Sequence, residues 1–174
     1  VSKNYLPTDG IYPLSHTLDT PGPMARSVAD VALMLAVMRG AEAWAIDQDM
    51  KNGQGLFAFQ RASVRGLKLG IIDNSERQVC DADMLKSYDA AVDRLASLGA
   101  EIAVFSAPDR YGDLADANGA ITIFEGYGYH KALYEVAQNP MDEDVRKRML
   151  TGRGMTAESH ASNLRQKTTT QTQF

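Results

Sequence analysis

Residues 67–105 read LKLGIIDNSERQVCDADMLKSYDAAVDRLASLGAEIAVF, and the apolar period changes twice along them. Residues 67–72 (LKLGII) are short, branched and closed by Asp73-Asn74-Ser75, the pattern of a strand running into a turn. From Asp81 to Leu98, Met84, Leu85, Tyr88, Val92, Leu95 and Leu98 recur at steps of three and four, which predicts one amphipathic helix. Gly99 suits the position just past a helix end, and 102–105 (IAVF) reads as a second strand. Strand, helix and strand over this span predict a right-handed crossover with parallel strands. Parallel strands need helices on both faces, so the unit implies a three-layer α/β domain.

The rest of the composition fits a globular chain. The 174 residues are 44% apolar, enough for a core, and the net charge of −4 argues against a nucleic-acid surface. The densest basic run, Arg146-Lys147-Arg148, follows Asp142-Glu143-Asp144. Acid first and base last complements a helix dipole, so a short solvated helix is expected there. A single cysteine, Cys80, excludes an internal disulfide and fits a reducing, cytoplasmic setting. No apolar run approaches the roughly 20 residues of a membrane span.

Around the crossover, residues 1–26 carry Pro7, Gly10, Pro13, Pro21, Gly22 and Pro23, too many breaks for regular structure. A helix is expected to begin after Ser27 as N-cap and to run through Met38. It is apolar on nearly every face, which predicts burial all round. Residues 42–65 read as a long surface connection with partial helix. A further helix is expected over 111–138, with Gly126 and Gly128 marking a kink or a close backbone contact. Two short helices are expected near 142–150 and 157–166, the second capped by Thr156. Residues 168–174 lack an apolar period and are expected to be a disordered tail beyond a domain of 1–167.

Several residues invite a chemical reading. Ser15, His16 and Asp19 hold nucleophile, base and carboxylate types, but adjacency in a Pro-rich loop gives no triad geometry, and a structural loop is expected. The Asp19 carboxylate is placed to cap local backbone N–H groups or to pair with an arginine elsewhere. His16, His130, His160, Glu125 and Glu158 lack metal-ligand spacing, so no metal is expected. Phe124, Tyr127, Tyr129 and Tyr134 read either as core packing or as a pocket wall. Asp73 lies at the carboxyl end of a predicted parallel strand, where open α/β sheets bind ligands, although turn formation also explains it. No GxGxxG or GxxxxGK[ST] motif occurs, and no cofactor is expected.

Residues 13–43, PLSHTLDTPGPMARSVADVALMLAVMRGAEA, carry a further signal. Asp19, Gly22, Pro23, Arg26, Asp30 and the apolar run that follows resemble the amidase signature family of amide hydrolases. The LKLGIID crossover, the Phe124-Glu125…His130 helix and GRGMTAESHASNLR at 152–165 are similar to that family as well. The resemblance implies a three-layer α/β/α fold with a mixed, partly parallel sheet, incomplete in this chain. It also implies hydrolysis of carboxamide C–N bonds through an acyl-serine, by a Ser-Ser-Lys triad set in a glycine- and serine-rich segment. The 174 residues contain no such segment, so the expectation is a fragment of an amidase, inactive alone, with no catalytic residue to assign. By the same resemblance, Phe124, Tyr127 and His130 would border the substrate, and Asp19, Gly22, Pro23 and Arg26 would support the loop of the site. The implied ligand is a small-molecule amide, with neither nucleic acid nor membrane as partner and with room for a homodimer or partner chain. The alternative is a non-catalytic binding or assembly subunit related to amidases.

Overall fold

The structure is a computed structural model and describes residues 3–106 and 111–173. It divides into two compact units, one of residues 21–106 and one of residues 3–20 with 111–173.

In the first unit, helix α1 (Val28–Met38) starts where Ser27 accepts a hydrogen bond from the Asp30 amide at 3.1 Å. Residues 42–65 are more ordered than the sequence implies. They form α2 (Ala43–Asn52) and a 3₁₀ stretch, Gly55–Arg61. Phe57 of that stretch is 1% exposed and packs with Ala32, Ala36 and Ile46. The short apolar run at 56–59 lacks a helical or strand period, so a core position there is hard to read from the sequence. Helix α1 itself departs from the expected all-round burial. Only Ala32 and Ala36 are buried, while Val28 is 64% and Val37 60% exposed, so an apolar face lies open in this chain.

The two strands pair in parallel across an intervening helix, as expected. Strand β1 (Lys68–Ile72) pairs in parallel with β2 (Glu101–Phe105), Leu69 opposite Ile102 and Ile71 opposite Val104. The two are the only strands among the described residues. A four-residue turn of helix, α3 (Asn74–Arg77), follows β1, and then α4 (Ala82–Ser97), which is capped by Asp81 and packs on β2. Gly99 takes φ +95°, a left-handed conformation that closes α4 and lets Ala100 N–H reach the Leu95 carbonyl at 3.1 Å.

The second unit is helical. The long helix α5 (Tyr111–Glu135) is flanked by α6 (Glu143–Leu150) and α7 (Ala157–Gln173). Its backbone breaks at His130 (φ −122°, ψ 20°), not at the glycines; Gly126 serves a close contact instead, while Gly128 lies open. A Cβ on Gly126 would lie 2.6 Å from the Met149 methyl and 3.2 Å from the Leu14 carbonyl oxygen. One on Gly152 would lie 2.5 Å from the Tyr127 Cβ.

Arg146 is buried rather than solvated. Its guanidinium donates to the carbonyls of Tyr134 (2.8 Å), Val136 (2.8 Å) and Asn139 (2.5 Å), satisfying the open end of α5. The expected disordered tail is also helical, since α7 runs through Gln173 with Thr170 buried. Its threonines are held by local bonds, Thr168 Oγ1 to the Leu164 carbonyl at 3.0 Å among them. Packing on α5 supplies what the composition of the tail does not.

The glycines separate in a thermal melt. Gly152→Ala is expected to destabilise by about 1–3 kcal/mol, because its Cβ meets backbone-anchored atoms. Gly128, exposed in α5 with nothing within 4 Å of an added Cβ, should gain about 0.5–1 kcal/mol as alanine. A neutral Gly152→Ala would contradict the close approach of 151–154 to α5.

Candidate functional site

Ala117, Ile121 and Glu125 follow one another at four-residue steps, so a carboxylate sits on the inward stripe of α5. All three are buried, Glu125 with 5% of its surface exposed. A buried carboxylate survives only if its oxygens are fully engaged, and here the partners come from two other segments. Ser15 Oγ donates to Glu125 Oε2 at 2.5 Å and Thr17 Oγ1 to Oε1 at 2.6 Å, and the Thr17 amide reaches Oε2 at 3.1 Å. His16 Nδ1 faces Oε2 at 3.3 Å, and His160 Nε2 from α7 faces Oε1 at 3.4 Å.

Burial is the largest influence on Glu125 and pushes its pKa up. The Ser15 and Thr17 hydroxyls, the Thr17 amide and the nearby His16 together outweigh it, and hold the group below the ordinary value of 4.5. The site is therefore an anion held by converging donors.

The loop from Tyr12 to Asp19 is shaped by the same economy. Asp19 Oδ2 accepts the amides of Leu14 and Ser15, each at 3.0 Å, so the aspartate caps local backbone and does not pair with an arginine there. Ser15 Oγ also accepts the Leu18 amide at 3.2 Å. Lys3 Nζ adds bonds to the carbonyls of His16 (2.6 Å) and Asp19 (3.0 Å). Ser15 is 1% exposed, and its hydroxyl donates to Glu125 and accepts from the Leu18 amide. The triad reading of Ser15, His16 and Asp19 fails on this geometry, as expected.

The other sequence-derived residues are distributed as follows. Phe124 stacks on the His160 ring at 4.2 Å. His130 is buried, stacks on Tyr12 at 4.6 Å and hydrogen-bonds through Nε2 to the Pro13 carbonyl. A carbonyl can only accept, so Nε2 carries the proton. Tyr127 turns to other partners, its hydroxyl bonding Glu135, which also pairs with Arg153 at 3.1 Å. Gly22, Pro23 and Arg26 belong to the first unit, where Arg26 is exposed just before the Ser27 cap. Asp73 caps α3 through the Ser75 amide (2.9 Å), and the hydroxyls of Ser75 and Ser106 hold its carboxyl below the usual range. No group of three or more histidine, cysteine or acidic side chains among the described residues has the arrangement of a metal site.

Nothing in the sequence marks Ser15, Thr17, Glu125 and His160 as one cluster. The signal is present in part, since a glutamate falling on the Ala117–Ile121 stripe marks a buried charge. Its partners Thr17 and Ser15 lie 108 and 110 residues away, and no periodicity connects them.

Known proteins match this chain over nearly all of its length. A profile of the amidase family matches residues 2–173. This chain belongs to the amidase family. A Pseudomonas putida amidase is 30% identical over 167 residues, covering 91% of this chain and 34% of its own length. A glutamyl-tRNA(Gln) amidotransferase subunit from Bdellovibrio bacteriovorus is 34% identical over 99 residues, covering 57% of this chain and 20% of its own. Among solved structures, an amidase crystal structure superposes with a TM-score of 0.76 over 98% of this chain and 35% of its own, at 19% identity. That likeness supports an amidase-type α/β fold. The chain spans about a third of the length of the P. putida relative.

Because the folded pKa of Glu125 is depressed, its contribution to stability is complete above 4.5 and is lost as pH falls through the lower folded value. Thermal unfolding from pH 7 to pH 3 should show this loss. Glu125→Gln should cost about 1–3 kcal/mol at pH 7 and flatten the acid slope. An unchanged slope in the variant would place the acid sensitivity elsewhere. Asp19→Ala is expected to cost about 1–3 kcal/mol by orphaning the Leu14 and Ser15 amides, read in the same melts.

Proposed function

We propose that this chain is part of an amidase that hydrolyses carboxamide C–N bonds through an acyl-serine intermediate, and that the 174 residues alone do not turn over. The reading is carried by the family match over residues 2–173, supported by the fold. An acyl-serine step needs a nucleophile activated by a neighbouring base and donors for the developing oxyanion. Ser15 does not fit the role, because it is buried at 1% exposure and its hydroxyl is engaged with Glu125 and the Leu18 amide. What these residues contribute is a rigid frame, in which Glu125 and Asp19 hold the 12–19 loop. Phe124, Tyr127 and His130 are proposed to border the substrate, and Asp19, Gly22, Pro23 and Arg26 to support the loop of the site.

No helix among the described residues is long and apolar enough to cross a membrane. The lone exposed thiol, Cys80, fits a reducing cytoplasmic setting.

A second reading is an assembly subunit. The open apolar face of α1 favours it, and several relatives bear the name of an amidotransferase subunit. Co-purification of a stoichiometric partner chain that covers α1 would support it.

The test is ammonia or amine release from a panel of carboxamides, with hydroxylamine present to trap an acyl-enzyme as hydroxamate. The natural polypeptide that carries these residues should release ammonia and form hydroxamate, and the 174 residues alone should do neither. Failure of the natural polypeptide to cleave any carboxamide would overturn the amidase reading.

A further inference from the structure

Asparagine is followed by glycine at Asn52-Gly53 and at Asn118-Gly119, and the fold gives the two steps opposite surroundings. Glycine has no side chain to shield its own nitrogen, so that nitrogen can attack the asparagine carboxamide ahead of it and close a cyclic imide. The attack requires the asparagine to leave its helical ψ and the glycine N–H to leave its hydrogen bond. Both asparagines are exposed, so access to solvent does not separate them. What separates them is what must open.

Asn52 is the last residue of α2, and Gly53 beyond it is left-handed at φ 57°, ψ 48°. The Gly53 N–H donates to the Asp49 carbonyl, and the Gln54 amide reaches the same oxygen at 3.0 Å. That oxygen therefore stays bonded when Gly53 is released. Residues 50–52 are exposed, and the core residue of α2, Ile46, lies further back. Fraying of this last turn uncovers no core. Asn118 lies in the interior of α5, between the buried Ala117 and Ile121. Freeing the Gly119 nitrogen breaks the helix there and draws that buried stripe out of its packing.

We propose that Asn52-Gly53 is a site of spontaneous modification, at which the folded protein converts Asn52 to aspartate and isoaspartate, while α5 protects Asn118. The Gly53 nitrogen bonds to Cγ of Asn52 as its proton passes to solvent. The Cγ–Nδ2 bond breaks, and the departing nitrogen takes up a proton and leaves as ammonia. Water then opens the imide. Attack at Cγ restores the peptide as aspartate, and attack at the main-chain carbonyl leaves isoaspartate, with an extra carbon in the main chain. The site yields one ammonia per chain and needs no added carboxamide, so it is separable from amidase turnover and stands whether or not that reading does.

The consequence falls on the first unit. The new carboxylate stands at the negative end of the α2 dipole. The extra carbon enters the connection between α2 and the 3₁₀ stretch, which together place Ile46 against Phe57. That connection is tight, since a Cβ on Gly55 would lie 2.4 Å from Asp49 Oδ2. The isoaspartate form therefore melts below the asparagine form.

The test ages the folded protein at neutral pH beside a sample unfolded in guanidinium, and maps both by peptide mass, with fragmentation that distinguishes isoaspartate. Asn52 should convert within about tenfold of its unfolded rate, and Asn118 should be slowed by more than about a hundredfold, because opening costs little at a frayed end and much in a packed helix. Equal conversion of the two in the folded protein, or an Asn52 as protected as Asn118, would overturn the proposal. The deamidated fraction, separated by ion exchange, should melt below fresh protein, and an unchanged melt would overturn the structural consequence.

Discussion

A carboxylate on the inward face of α5 must either be protonated or gather enough donors to stay charged, and the second unit is arranged around the second outcome. Glu125 draws in the Ser15 and Thr17 hydroxyls, the Thr17 amide and two imidazoles. Each of those contacts fixes a piece of chain with no regular structure of its own or docks a neighbouring helix. The 12–19 loop holds neither helix nor strand, and it is ordered by the anion beneath it and by Asp19 from within. Such a cluster contributes geometry more than stability, since a buried ionic group is commonly no more stabilising than an apolar replacement.

Close approach does the rest. Gly126 and Gly152 let the loop, α5 and the 151–154 turn touch without side chains between them. Arg146 closes the carbonyl end of α5 from within the packed interface. These features explain why a 25-residue helix with a broken backbone at His130 still organises the whole unit.

The local elements were legible because their signals are local. Ser27, Asp81, Asp142 and Thr156 cap helices by bonds spanning two or three residues, and Gly99 ends α4 through its own backbone. The crossover was legible from its periods alone. What the sequence concealed depends on partners far along the chain. Phe57 is core within a short apolar run that has no regular period, Arg146 is a buried cap in what reads as a solvated basic run, and the tail is helical because α5 supplies its packing. The Glu125 cluster is the extreme case, joining residues more than a hundred positions apart. Conversely, α1 reads as buried all round, and in this chain it keeps an open face, because periodicity reports what a helix can bury and not what covers it.

The account rests on Glu125 being an anion at the centre of the second unit. Titrating its side-chain carboxyl by ¹³C NMR, with Glu125→Gln for assignment, tests that claim without reference to activity. A midpoint below the ordinary 4.5 is predicted, because the donors from Ser15, Thr17 and His16 outweigh burial. A midpoint at or above 4.5 would mean that burial wins, that the carboxyl is a neutral donor in a mildly acid medium, and that the loop is held by something other than this charge.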